Sequence, residues 1–176
     1  MIIRDAIEQD IPSCLAIDAD YETEHVWQMT FQPSTGDQAV HFRVERLPRQ
    51  MPVTYLADQN RLQHALASQH CFLVMEEAEQ IIAYLTMRSD PIHQIGMIQD
   101  VVVARPLRRH KIGSRLLKVA RRWATEHQLS VVMAETQTKN YPAIQFIQAN
   151  GFVFCGFNDH YFRNGDIAVF FCAPLR

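Results

Sequence analysis

The segment Leu107-Arg108-Arg109-His110-Lys111-Ile112-Gly113-Ser114 gathers the residues best suited to holding an anion. It lies where a valine-rich run, read as a strand, hands over to an amphipathic stretch, read as a helix. The first backbone N–H groups of a helix have no intrahelical partner and favour negative charge. Arg108, Arg109 and Lys111 add positive charge at that end, Gly113 allows close approach to the backbone, and Ser114 can donate a further hydrogen bond. Such a set suits a pyrophosphate. The alternative is a solvated basic loop before a helix. Unbalanced cations at a helix N-terminus oppose its dipole, which weighs toward a bound anion.

Other chemistry is thinly supported. Cys14, Cys71, Cys155 and Cys172 are widely separated and form no CxxC pair, so neither a zinc knuckle nor a dithiol redox site is indicated. His25, His41, His64, His70, His93, His110, His127 and His160 show no metal-ligand spacing. No metal is expected.

The elements that must position the basic turn can be read from periodicity. Gly96 to Val103 reads as a strand whose Val101-Val102-Val103 run looks buried on both faces, as in a sheet interior. Gly113 to His127 reads as a helix with Leu116, Leu117, Ala120, Trp123 and Ala124 on one side and Arg115, Lys118, Arg121 and Arg122 mainly away from it. Ser130 to Ala134 is another strand, so residues 96 to 134 form a right-handed parallel crossover. Asn140 can cap a helix from Pro142 to Ala149 with Ala143, Phe146 and Ile147 on or near its inner face, and Asn150-Gly151 stops it. Phe152 to Phe157 and Ile167 to Phe171 read as a closing antiparallel hairpin. Upstream, Met1 to Ile7 reads as an edge strand, and Asp10 can cap a surface helix carrying Ile11, Leu15 and Ile17 with Pro12 in its first turn. Cys71 to Glu76 and Gln80 to Arg88 read as a hairpin, preceded by a helix over 58 to 69. The stretch Tyr21 to Pro52 has no steady period, with a turn at Pro33 to Gly36 and a strand near Ala39 to Glu45.

The 176 residues carry 17 Lys+Arg against 19 Asp+Glu, with 48% hydrophobic and 20% charged residues. That is enough apolar surface for one core and too little charge for disorder. One domain over 1–176 is expected, with 21–70 as its variable, substrate-side region. The near-neutral balance argues against a nucleic-acid binder. No apolar run is long enough to span a membrane. Arg4, Asp5, Glu8 and Asp10 interrupt any apolar leader, so a cytoplasmic location is expected.

Residues 98 to 176 resemble the core of the GCN5-related N-acetyltransferase superfamily. Arg108 opens and Gly113 closes its Arg/Gln-x-x-Gly-x-Gly/Ala loop pattern, with Lys111 at the inner glycine position. The valine strand, the amphipathic helix and Asn140-x-x-Ala143-x-x-Phe146-x-x-x-x-Gly151-Phe152 follow in family order. Ile98-Gln99-Asp100-Val101, Glu135-Thr136-Gln137, Asn140 and Phe170-Phe171 look most like streptothricin acetyltransferases, with Gln99 where that subfamily has an acidic residue.

The resemblance implies an α/β fold: a mixed, twisted sheet of about six or seven strands with helices on both faces. It implies acetyl-coenzyme A as cosubstrate, held between splayed strands at 96–103 and 130–135. Backbone groups of Val101, Val102 and Val103 would pair with the pantetheine arm. Arg108, Arg109, His110, Lys111, Ile112, Gly113 and Ser114 would cradle the pyrophosphate, while Asn140 and Ala143 would contact the outer arm. Direct transfer to a primary amine needs a proton acceptor, for which Glu135 and Asp100 are the candidates, and no cysteine nucleophile. Ile147 stands where many members carry the tyrosine that protonates the departing thiolate, leaving Tyr141 or Tyr161 to supply a hydroxyl. The acceptor reads as a small cationic amine, aminoglycoside-like or streptothricin-like, which brings antibiotic resistance into view. Asp18, Asp20, Tyr21, Glu22, Glu24, Trp27 and Phe31 are candidates to attract it. A homodimer through the C-terminal strands fits the same resemblance. Two readings compete: an acyl-coenzyme A-binding regulatory module without transfer, and a structural homodimer.

Overall fold

The computed structural model describes residues 1–33, 36–55 and 57–175. The elements follow as β1 (Ile2–Asp5), α1 (Ile11–Leu15), β2 (Tyr21–Pro33), β3 (Gln38–Val53), α2 (Gln59–Ala67), β4 (Cys71–Glu77), β5 (Gln80–Asp90) and β6 (Ile95–Val103). After β6 come α3 (Ile112–Glu126), β7 (Val131–Gln137), α4 (Tyr141–Ala149), β8 (Val153–Asn158) and β9 (Ala168–Pro174). Seven strands form one sheet in the order β1-β4-β5-β6-β7-β9-β8, and β2 with β3 form a separate antiparallel pair. Only β6 and β7 run parallel within the large sheet, joined by α3 as the crossover.

Alternation along the strands builds two cores. Leu73, Met75, Leu85, Met87, Ile98, Val132, Ala134 and Phe171 face α3 and α4, meeting Leu116, Leu117, Ala120, Ala124, Ile144 and Ile147. Phe72, Val74, Tyr84 and Val102 face the other way, onto Ile11 and Cys14 of α1 and Leu62 and Ala65 of α2. Helices thus cover both faces, as expected.

The structure differs from the sequence reading in several places. Valines 101 to 103 alternate: Val102 is buried against α1 and α2, whereas Val101 and Val103 are half-buried on the α3 side. The turn of α4 buries Ile144 and Ile147, leaving Ala143 and Phe146 half-covered. Ile17 lies beyond α1. Tyr21–Pro33 is a strand without a legible period because it pairs with β3 outside the main sheet, burying Thr23 and half-burying Trp27 against the core while Glu22, Glu24 and Phe31 are exposed. Ser34 and Thr35 of the expected turn lie outside the described residues.

Candidate functional site

The parallel pair opens midway. β6 and β7 are hydrogen-bonded from Ile95↔Val131 to Ile98↔Ala134 and no further. Beyond that point β6 stays paired with β5 up to Val103, and β7 with β9 up to Gln137, so the two strands part and their facing edges lose each other's hydrogen bonds. The parting coincides with a bulge. Thr86 pairs Asp100 and Met87 pairs Ile98, which leaves Gln99 as an extra residue on β6. An unpaired backbone edge in a protein interior needs donors and acceptors from elsewhere.

At the mouth of this opening stands the basic turn. Arg109 (φ 68) and Lys111 (φ 61) both take left-handed backbone conformations, and Lys111 is the residue before the first turn of α3. Among the described residues, none of the backbone N–H groups from Arg109 to Ser114 donates a hydrogen bond. Left-handed kinks that turn successive N–H groups to one side make a concave anion site. The Arg108 side chain is not part of that concavity. Its guanidinium donates to the carbonyls of Val103 (3.1 Å), Asp20 (2.7 Å) and Asp18 (3.1 Å), pinning the start of β2 to the end of β6. Gly113 serves packing: a Cβ there would sit 3.1 Å from the Phe146 ring, so its bareness lets α3 and α4 close up. Beside Ser114, a shallow cavity of about 240 Å³ is lined by Leu117, Lys118, Arg121 and Asn150. Asn140 caps α4, its Oδ1 accepting from the Ala143 N–H at 3.2 Å.

The acidic candidates lie on the opposite face, toward α1 and α2. Asp100 is buried, its carboxylate accepting from Thr86 Oγ1 at 2.6 Å and from the Tyr55 hydroxyl. Arg61 Nε is 3.4 Å from Asp100 Oδ2. Burial, with Asp100 adding to it, raises the Tyr55 hydroxyl well above the ordinary phenol range. Glu135 is half-buried at the parting of β7 and accepts from the Tyr161 hydroxyl. Burial raises its pKa above the usual 4.5, against the lowering effect of that hydrogen bond. Burial and the Glu135 contact in turn push Tyr161 up to about 12. Tyr161 therefore keeps its proton at neutral pH. Tyr141 opens α4 and packs on the His25 ring at 5.3 Å, apart from this pair.

Burial pushes the Cys14 and Cys71 thiols up to about 12, which leaves both without a thiolate at neutral pH. The acidic and aromatic residues of the front segment mostly serve the fold. Asp20 Oδ1 accepts from the Tyr55 N–H at 2.9 Å, Glu22 takes Arg105 at 2.9 Å, and Trp27 packs against Phe42, Phe154 and Phe171.

Residues 37–152 match the model of the acetyltransferase (GNAT) family. The chain belongs to this family. It is an N-acetyltransferase by family, and the parting of β6 from β7, the basic turn and α3 all fall within the matched span. Among solved structures, a nourseothricin acetyltransferase superposes with a TM-score of 0.85 at 19% identity, covering 99% of this chain and 98% of that one. A protein of Bacillus anthracis str. Ames assigned as a streptothricin acetyltransferase, solved with acetyl coenzyme A, gives 0.79 at 20% identity over 99% and 97% of the two chains. An aminoglycoside 6'-N-acetyltransferase complexed with coenzyme A gives 0.60 at 9% identity, covering 67% and 79%. At these identities the likeness is one of fold. No curated protein matches the chain in sequence.

Within this acetyltransferase, sequence reasoning missed Tyr55, Arg61, Thr86 and Arg88. Tyr55 and Arg61 flank the Asp58 cap of α2, which accepts from the Asn60 and Arg61 N–H groups, and only the folded chain brings them over Asp100. Ile147 of α4 is buried in the core, and as an isoleucine it supplies no hydroxyl at that position.

Proposed function

We propose that the protein transfers an acetyl group from acetyl-coenzyme A directly to a primary amine of a small molecule that arrives as an ammonium cation. The observation that carries this reading is the run of free N–H groups from Arg109 to Ser114 at the mouth of the gap between β6 and β7. These residues fit the cosubstrate on three counts. The N–H run and the Lys111 charge suit a pyrophosphate. The unpaired edge of β6 around Val101 and Val102 offers strand-like hydrogen bonds to an amide-bearing arm. Ser114, Lys118 and Arg121 beside the cavity suit the outer phosphate arm, with Asn140 and Ala143 at the start of α4. When bound, acetyl-coenzyme A supplies the activated acetyl thioester.

The chain's own residues then have three tasks. Backbone N–H groups at the gap stabilise negative charge on the reacting carbonyl oxygen. Glu135, oriented by Tyr161, accepts the proton that the ammonium must lose before it can attack. A raised pKa suits a base, because the protonated and ionised forms both become accessible nearer the working pH. Tyr161 holds a proton close to the same carboxylate and can hand one to the departing thiolate, a task otherwise left to water. Asp100, held by Thr86, Tyr55 and Arg61, positions the neighbouring groups. The buried Ile147 favours the second reading, an acyl-coenzyme A-binding module without turnover.

One experiment separates them: acetyl-coenzyme A titration by calorimetry, paired with thiol release in a broad amine panel across pH. We expect one-to-one binding and an amine-dependent rate that falls as pH drops through the Glu135 titration, since the protonated carboxyl cannot take a proton. Glu135→Gln should lower kcat about 10²–10⁴-fold and flatten that acid limb. Binding without thiol release selects the module. No binding removes both.

A further inference from the structure

The α1/α2 face of the gap carries a guanidinium, Arg88, that the transfer chemistry does not use. Register places Arg88, Met97, Met133 and Cys172 in one row across β5, β6, β7 and β9. The next row toward the parting holds Thr86, Asp100, Glu135 and Phe170. Tyr55 and Arg61 lie over Asp100, and Tyr161 lies over Glu135 with its ring 5.2 Å from Phe170. One patch thus contains two carboxylates and two guanidiniums.

Arg61 and Asp100 form an ion pair at 3.4 Å, so among the described residues the patch charges left without an ionic partner are those of Glu135 and Arg88. Both oxygens of Asp100 accept hydroxyl hydrogen bonds, one from Tyr55 and one from Thr86. Arg61 Nε is buried without a hydrogen-bond partner, while the side chain as a whole is 29% exposed. Arg88 is exposed, and among the described residues it makes no hydrogen bond or ion pair. Both arginines act on Glu135 through space. A polycation entering here would bring like charge against two guanidiniums, an arrangement that selects against it. A guanidinium with free donors beside a site that must take an amine is built for a carboxylate.

We propose that the acceptor is an amino acid, its amine at Glu135 and its carboxylate held by Arg61 and Arg88. The row geometry fits the size. Arg88 and Met133 are two strand spacings apart, about 10 Å at the backbone, and Glu135 is the next same-face residue along β7. The long arginine side chains span most of that distance, leaving a few bonds between the two charged ends of the ligand.

This inference rests on amine transfer as the function, and its test keeps the two apart. Each of the twenty common amino acids is compared with its C-terminal amide, by calorimetry on the coenzyme A-saturated protein and by thiol release with acetyl-coenzyme A. We expect at least one acid to bind on the order of tenfold to a hundredfold more tightly than its amide, the range of a charge-assisted hydrogen bond. Arg88→Gln, at an exposed position, should bring that ratio toward one, mainly through KM where turnover is measurable. Arg61→Gln should do the same. An acid-over-amide preference without thiol release would retire transfer and overturn the amino acid as acceptor, leaving only a carboxylate-binding site. Thiol release with carboxylate-free amines and no acid preference would leave transfer standing and overturn the inference. A preference that survives Arg88→Gln unchanged would also overturn it.

Discussion

Replacing Lys111 tests whether backbone or side chain makes the anion site. Its φ of 61 and ψ of 13 lie in the left-handed region, where the Cβ of a non-glycine residue costs roughly 1–2 kcal/mol. Lys111→Gly removes that cost and returns about 0.5–1 kcal/mol of backbone freedom to the unfolded chain. The balance is a stabilisation of about 0.5–1 kcal/mol, or roughly 1–4 °C in Tm for a chain of this size. The lost ammonium is exposed and near a helix N-terminus, so its removal should weaken acetyl-coenzyme A binding by about 0.3–1 kcal/mol, roughly two- to fivefold. Lys111→Val keeps the N–H but places a β-branched side chain at positive φ, and should destabilise by about 1–3 kcal/mol. Urea unfolding of the three proteins, with calorimetric titration of each, reads both quantities. A loss of affinity beyond about thirtyfold in Lys111→Gly would mean that the side chain holds the phosphate through a charge-assisted bond. That result, or a glycine variant less stable than the parent, would refute the backbone cradle.

Arg108→Ala should lower the urea midpoint by the equivalent of about 1–3 kcal/mol, because three carbonyls on two segments lose one shared donor. Arg108→Lys should recover only part, since an ammonium cannot reproduce the guanidinium fork. A parent-like midpoint in Arg108→Ala would show that water replaces the clamp. Gly113→Ala should destabilise by about 1–3 kcal/mol through the Cβ contact with Phe146, and Phe146→Leu should relieve most of it. Additive rather than compensating effects in that double variant would show that the contact is not the cause.

Much of the framework was legible because it rests on local rules. The strand-helix-strand order from Ile95 to Gln137, the Asn140 cap and the Gly151 stop all follow from periodicity and capping chemistry. The anion reading of residues 107–114 likewise needed only charge and the unpaired N–H groups of a helix start. The left-handed turn at Lys111 was not legible, because backbone angle at a non-glycine residue is set by what flanks it. The Gln99 bulge escaped for a related reason: alternation predicts side-chain faces only while register holds, and one extra residue exchanges them. That exchange brings Asp100 onto the same face as Glu135.

The sequence by itself determined the elements, their order and the residues able to bind an anion, because these depend on contacts within a few positions along the chain. Tertiary structure alone decided which of those residues do something else. It gave the Arg108 guanidinium carbonyl partners on two segments, one of them 88 positions away on Asp20. It gave Glu135 a hydroxyl partner 26 residues away in Tyr161 and brought Tyr55, 45 positions distant, onto Asp100. Hydrogen-bond partners at such separations are fixed by sheet register and helix packing, quantities that local spacing does not carry.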